Sequence, residues 1–364
     1  MPTHRPKPCT QTMHMDTRCI MKLSPLTRKR LSVFRRDRRA FISLLVFGVL
    51  FAMSLAAELI ANDTPLYVRY KGRHCFPLVA TYSDRDFGGF LPSEACYSDP
   101  YLIHAIEEDG WILWPPVRFS YDTIRYDLPV PPPTAPSLSN PLGTDDLGRD
   151  VFARILYGFR LSVLFGFAFT FVTSALGIAA GAIQGYYGGR VDLWGQRLME
   201  IWSGIPMLYL LIIMNSFMTP GFWWLLALMV LFGWMRLVGV VRAEFLKGRQ
   251  LDYVQAARAL GVKDREIITR HILPNAMVAA MTFLPFILSG SIGILTSLDF
   301  LGFGMPPGSP SLGELLAAGK SNLHAPWLGL SAFAIVASML TLLVLIGEGV
   351  RNAMDPKHIQ KEAS

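Results

Sequence analysis

Apolar residues gather into six runs, near residues 41–60, 161–182, 198–217, 223–241, 276–298 and 328–346. About 20 residues of helix, at 1.5 Å per residue, cross a hydrocarbon core of roughly 30 Å. The pattern therefore predicts an all-α membrane protein with six transmembrane helices. The third and fourth runs are the weakest, holding Glu200 and Arg236. A charge at the centre of a span costs roughly 2.5–3.5 kcal/mol, so Arg236 should face protein or a wet path. Glu200 and Arg236 are a candidate gate ion pair; the alternative is that each reaches separately to the inner interface.

Two polar segments between the runs are organised differently. Residues 61–160 are net acidic and rich in Pro, Tyr and Asp. Residues Tyr67–Tyr70 and 111–119, rich in aromatic and branched residues, look strand-like, and the prolines of 129–136 predict a stiff extended linker. Residues 251–275, LDYVQAARALGVKDREIITRHILPN, predict a helix, a glycine stop and a second helix. Asp252 with Gln255 reads as an N-cap and its reciprocal partner. Tyr253, Ala256, Ala257 and Leu260 recur on one helical stripe. Gly261 stops that helix, Asp264 starts the next, and Pro274 predicts a break before the fifth apolar run.

Charge sets the expected orientation. Residues 1–39 carry 11 Lys/Arg against 2 acids, and Lys247, Arg249, Arg258, Lys263, Arg265 and Arg270 crowd the 244–275 loop. Arg351, Lys357 and Lys361 follow the last run. Basic loops stay inside, so six spans with both termini cytoplasmic satisfy charge and parity together. The division is a basic tail (1–39), a first span (40–60), a periplasmic segment (61–160), a five-helix core (161–350) and a C-terminal tail (351–364). The net charge of +7 follows from this asymmetry and is no nucleic-acid signal. The first run, preceded by a long basic stretch, reads as an uncleaved anchor; translation starting at Met21 is a further expectation.

Cys9 and Cys19 lack metal-ligand spacing. Cys75 and Cys96 share the outer segment, where either a disulfide or two free thiols is compatible with the sequence. A bridge would close a loop of about 20 residues and contribute on the order of 3 kcal/mol. Residues 313–321, GELLAAGKS, imitate a phosphate loop. Five residues separate the glycines where the Walker pattern has four, and the segment is expected outside. Nothing else has nucleotide, metal or nucleophile signatures, so the chain is expected to be no enzyme and to bind no cofactor itself.

The 251–275 segment resembles the EAA loop of ABC-importer permeases, through Ala256, Ala257, Gly261, His271, Pro274 and Asn275, with Gln255 where that family has its leading Glu. Residues 142–166, LGTDDLGRDVFARILYGFRLSVLFG, resemble the entry to the second span in the dipeptide/oligopeptide branch. There Asp145 and Asp150 can cap short turns, Arg149 can bridge an acid, and Arg154 and Arg160 suit an interface where they reach water. FLGFG at 300–304 and GEGVRNAMDP at 347–356 extend the resemblance, which is strongest to Yej-type peptide permeases. It implies a type I ABC importer permease fold with a periplasmic insertion between helices 1 and 2, in the bacterial inner membrane. It also implies four kinds of partner: a second permease subunit in a heterodimer, ATPase subunits holding ATP and Mg²⁺, a periplasmic substrate-binding protein, and lipid. Cargo would be peptides or peptide-like compounds, with another small solute such as nickel or glutathione as the alternative; a secondary transporter is a more distant reading. The residues it assigns to ATPase coupling are Tyr253, Gln255, Ala256, Ala257, Leu260, Gly261, His271 and Pro274.

Overall fold

The computed structural model describes residues 25–89, 92–218 and 221–355. Met21, Cys9, Cys19, Lys357 and Lys361 lie outside the described residues. Helix α1 (Pro25–Arg36) is basic, and α2 (Arg38–Leu55) starts at Asp37, whose carboxylate accepts the Ala40 amide. One short turn, α3 (Ala57–Ile60), leads into the segment that its acidic, Pro- and Tyr-rich composition marked as a different kind of sequence.

That segment is a small α/β unit. Strands β1 (Tyr67–Tyr70), β2 (Arg73–Cys75) and β3 (Gly110–Leu113) form an antiparallel sheet in the order β2-β1-β3. Val68 pairs with Cys75 on one side and Ile112 on the other. Helix α4 (Pro100–Asp109) is capped by Asp99 and lays Leu102 and Ile106 onto a core with Val68, Tyr70 and Phe87. The second strand is shorter than the expected 111–119: Pro115 and Pro116 end it, because proline cannot donate to a ladder. Cys75 is buried and Cys96 exposed, and the two are unbridged in this structure.

Five helices among the described residues are long and apolar enough to span a membrane. They are α2, α5 (Val151–Tyr187), the run Phe222–Gly248, the run Asp264–Phe300 and α14 (Pro326–Met354). The third expected span is not straight. Helices α6 (Gly189–Ser203) and α7 (Met207–Asn215) meet at a 61° bend, so the pair counts as a sixth span only if taken together. Pro206 lacks an amide proton and disfavours helix in the residue before it, which places the break there. The fourth span consists of α8 (Phe222–Gly233) and α9 (Met235–Gly248), and α9 carries helix well past the expected end at 241. Then come α10 (Asp252–Ala259), α11 (Asp264–Glu266), a π-helical turn (Ile267–Ile272), α12 (Leu273–Phe300) and α13 (Leu312–Ser321).

Helix α5 is the axis of the bundle. Gly177, Gly181 and Gly185 repeat every fourth residue along the side that meets α9. A Cβ on them would lie 2.6 Å from the Trp234 carbonyl, 2.8 Å from that of Val238 and 2.5 Å from the Phe245 Cβ respectively. The absent side chains let the two backbones touch, the packing mode that replaces hydrophobic driving force in lipid. Phe165 and Phe169, one turn apart, are buried, while Phe167 and Phe171 face outward.

Candidate coupling site

Helix α10 stands between α9 and the 37-residue run Asp264–Phe300. Asp252 is its first helical residue, not its cap, and the expected capping box does not form: the Gln255 side chain donates to the Gln250 carbonyl at 3.0 Å. Its other end follows the sequence closely. Gly261 adopts φ +79°, its amide bonds to the Arg258 carbonyl at 3.1 Å, and the Val262 amide bonds to that of Ala257 at 3.1 Å. This paired closure is a Schellman motif, and it needs the left-handed residue that glycine supplies without strain.

The stripe Tyr253, Ala256, Ala257, Leu260 divides between two environments. Ala257 turns inward with Val254, into the cluster containing Ile267, Ile272 and Tyr186. Tyr253, Gln255, Ala256 and Leu260 face outward, and Leu260 is 84% exposed. An apolar tip on a short stiff helix is thus presented to whatever lies beyond.

The helix is fastened to two spans. The Tyr253 hydroxyl donates to the His271 carbonyl and accepts from the Asn275 side chain, each at 3.3 Å, tying α10 to the start of α12. At the end of α5, the Tyr186 hydroxyl donates to Asp264 at 2.5 Å, and the Arg258 guanidinium lies 5.3 Å above its ring. Pro274 does not break the chain here. It sits in the first turn of α12, and the preceding turn widens to the π form, which removes the clash between the ring and the carbonyl four residues back.

The expected pair between Glu200 and Arg236 is absent. Glu200 is held by Arg197, one turn earlier, at 2.5 Å on an exposed surface. Arg236 lies against Gly290 of α12. The bidentate pair that does bridge the bundle is Arg242 with Asp192, joining α9 to α6; one of its bonds is 2.6 Å. The sequence reading did not single out Asp192, which lies in a segment of balanced charge with Arg190, Arg197 and Glu200.

A model of the family described as the binding-protein-dependent transport system inner membrane component matches residues 177–360. The chain is 61% identical to the inner membrane ABC transporter permease protein YejE of Escherichia coli K12, covering 93% of this chain and 99% of that one. It is 51% identical to the peptidoglycan transport system permease protein YejE of Agrobacterium fabrum, over 92% and 94% of the two chains. With the oligopeptide transport system permease protein OppC of Mycobacterium bovis it shares 31% identity, over 73% and 92%. The chain belongs to this ABC permease family.

As a multi-pass inner-membrane permease of an ABC system, it works with ATPase and substrate-binding components. At the end opposite α10, the permease carries a buried charge cluster built from the 142–166 block. Asp145 is fully buried and accepts Arg149 at 2.7 Å and Arg154 at 2.5 Å. Glu314, near the start of α13, closes the cluster from the other side, 3.4 Å from Arg149 and 3.2 Å from Arg154. Two cations against two acids leave no net charge, the condition for burying such groups. Arg154 therefore does not reach water as expected; it is enclosed, while Arg160 pairs with Glu58 at 2.7 Å. Asp150 caps α5 through the Ala153 amide at 2.7 Å and accepts from Asn140 at 2.6 Å. The GELLAAGKS segment is helix α13, whose first turn supplies Glu314 to this cluster.

Outside the spans, Arg125 makes two bonds to Asp127, at 3.0 and 2.7 Å, and holds that carboxyl below its ordinary range. The same guanidinium bonds Asn140 at 2.6 Å and stacks on Phe119, pinning the proline-rich loop to the block that starts α5.

Proposed function

We propose that this permease forms half of the translocation pathway of an ATP-driven importer for peptides or peptide-like compounds, paired with a second permease subunit. The observation that carries the coupling half of this reading is the outward face of α10, Tyr253, Ala256 and Leu260, on a helix tied to both α5 and α12. The oligopeptide relative favours peptide cargo over nickel or glutathione. In this reading α10 seats in a groove of an ATPase subunit, which holds the ATP and Mg²⁺. Closure of the ATPases displaces α10, and the Tyr253 bonds together with the Arg258–Tyr186 contact pass the movement to two spans at once. Alternating access follows as a rigid-body change of the bundle, with no bond of the cargo altered. Both termini and α10 lie on the cytoplasmic side, and the sheet-bearing segment faces the binding protein.

Uptake of a labelled short peptide by cells with and without the chain tests the reading. Import should require the chain and stop when α10 loses its tip. Undiminished uptake in the deletion strain, with no other peptide importer present, would refute it.

A further inference from the structure

Arg236 has a setting that the rest of the bundle does not share. It lies near the middle of the span Phe222–Gly248, just after the junction of α8 and α9 at Trp234. Its side chain is exposed on the single chain, and among the described residues it makes no ion pair or hydrogen bond. Two acids of neighbouring helices are engaged elsewhere, and no acid among the described residues lies within ion-pair distance of the guanidinium. Asp192 holds Arg242, and Asp299 accepts from Ser311 and the Met305 amide. Glu244 is eight residues along α9, about 12 Å down the axis. A cavity of about 170 Å³ adjoins the guanidinium, and its other walls are Leu237, Phe283, Phe286 and Ile287.

The surroundings are shaped for an occupant. Gly290 lies under the guanidinium, 3.1 Å from the place a Cβ would take. Gly239, three residues on from Arg236, and Gly293, three on from Gly290, have nothing within 4 Å of such a position. Glycines inside the bundle behave otherwise: Gly177, Gly181 and Gly185 are closed over by α9. A guanidinium thus stands at an apolar cavity, with glycines on α9 and α12 that leave space around it. A guanidinium fork matches a carboxylate in two parallel hydrogen bonds, and an unpaired charge at this depth requires such a partner.

Building on the peptide-import reading, we propose that Arg236 binds the C-terminal carboxylate of cargo on the translocation path and favours anionic over neutral peptide ends. A carboxylate of the second permease subunit is the competing occupant.

The complete importer in proteoliposomes, with its binding protein and ATP, decides between them. Uptake of one labelled tripeptide is measured as free acid and as C-terminal amide, for wild type, Arg236→Gln and Arg236→Lys. The binding protein's own preference is common to all three and cancels when their acid-to-amide ratios are compared. Arg236→Gln should lower the ratio about tenfold, the worth of a charged hydrogen bond, and Arg236→Lys should keep most of it. An unchanged ratio in Arg236→Gln overturns the proposal. So does an equal loss of both peptides in Arg236→Gln that Arg236→Lys restores without acid preference, which assigns the arginine to the subunit contact. Wild-type vesicles importing neither peptide would instead remove the import reading on which the proposal rests.

Discussion

Ala257 in α10 and Leu260 at its C-cap stand three residues apart, yet the first is buried and the second is among the most exposed apolar side chains. Both belonged to the stripe read from helical spacing. Spacing reveals that a face is apolar; which part of it turns inward depends on Ile267, Ile272 and Tyr186, which arrive from elsewhere in the chain. The two positions should therefore fail differently. Leu260→Asp removes about 2 kcal/mol of apolar burial at the proposed docking surface, so ATP-driven uptake should fall while the loop stays resistant to trypsin. Ala257→Asp puts an unpaired charge into the cluster beneath, and the 244–275 loop should be cut markedly faster. Equal protease resistance in the two variants would contradict the assigned burial. Glu200 and Arg236 teach a related lesson: two opposite charges in adjacent weak spans invite pairing, but Arg197 is nearer in sequence and satisfies Glu200 first.

Among elements, the buried charge cluster has the clearest energetic consequence. Asp145 faces two guanidiniums, so Asp145→Ala leaves two buried cations to the single Glu314 carboxylate, a change worth about 3–5 kcal/mol. The unfolding temperature of the detergent-solubilised permease should drop by several degrees; Glu314→Gln, at a half-buried site, should cost less. The acids and Arg149 of this block were readable as cap and bridge residues, whereas the burial of Arg154 depends on α13 approaching from 160 residues later in the chain. The outer segment has its own acid response. Arg125 depresses the Asp127 carboxyl, so this pair stabilises the fold above the unfolded carboxylate pKa of about 3.9 and is lost as pH falls through the lower folded value. Amide exchange in 119–140 should rise below pH 4 before exchange in the spans does. Helix α4 escaped the sequence reading because its ten residues bury only Leu102 and Ile106, too few turns for a firm periodicity.

At the scale of the molecule, all six apolar runs were visible from length alone, because bilayer thickness imposes that length on any sequence, and five of them are long helical runs among the described residues. The third hid its bend, since average hydropathy is blind to the geometry that Pro206 dictates. The proposed sidedness predicts that Gln255→Cys reacts with a membrane-impermeant maleimide only in inverted vesicles, and Tyr126→Cys only in spheroplasts; labelling of both from one side would reverse the topology. The π-turn at Ile267–Ile272 has a mechanical corollary. Such a turn holds one surplus residue. Ironing it into α-helix would spin everything beyond Leu273 by about 100° and lengthen that limb by about 1.5 Å. Under the proposed docking, α10 and the long rod are joined through a swivel, so a tug at one end is convertible into torque at the other, carrying Gly290 round and away from the arginine it now supports.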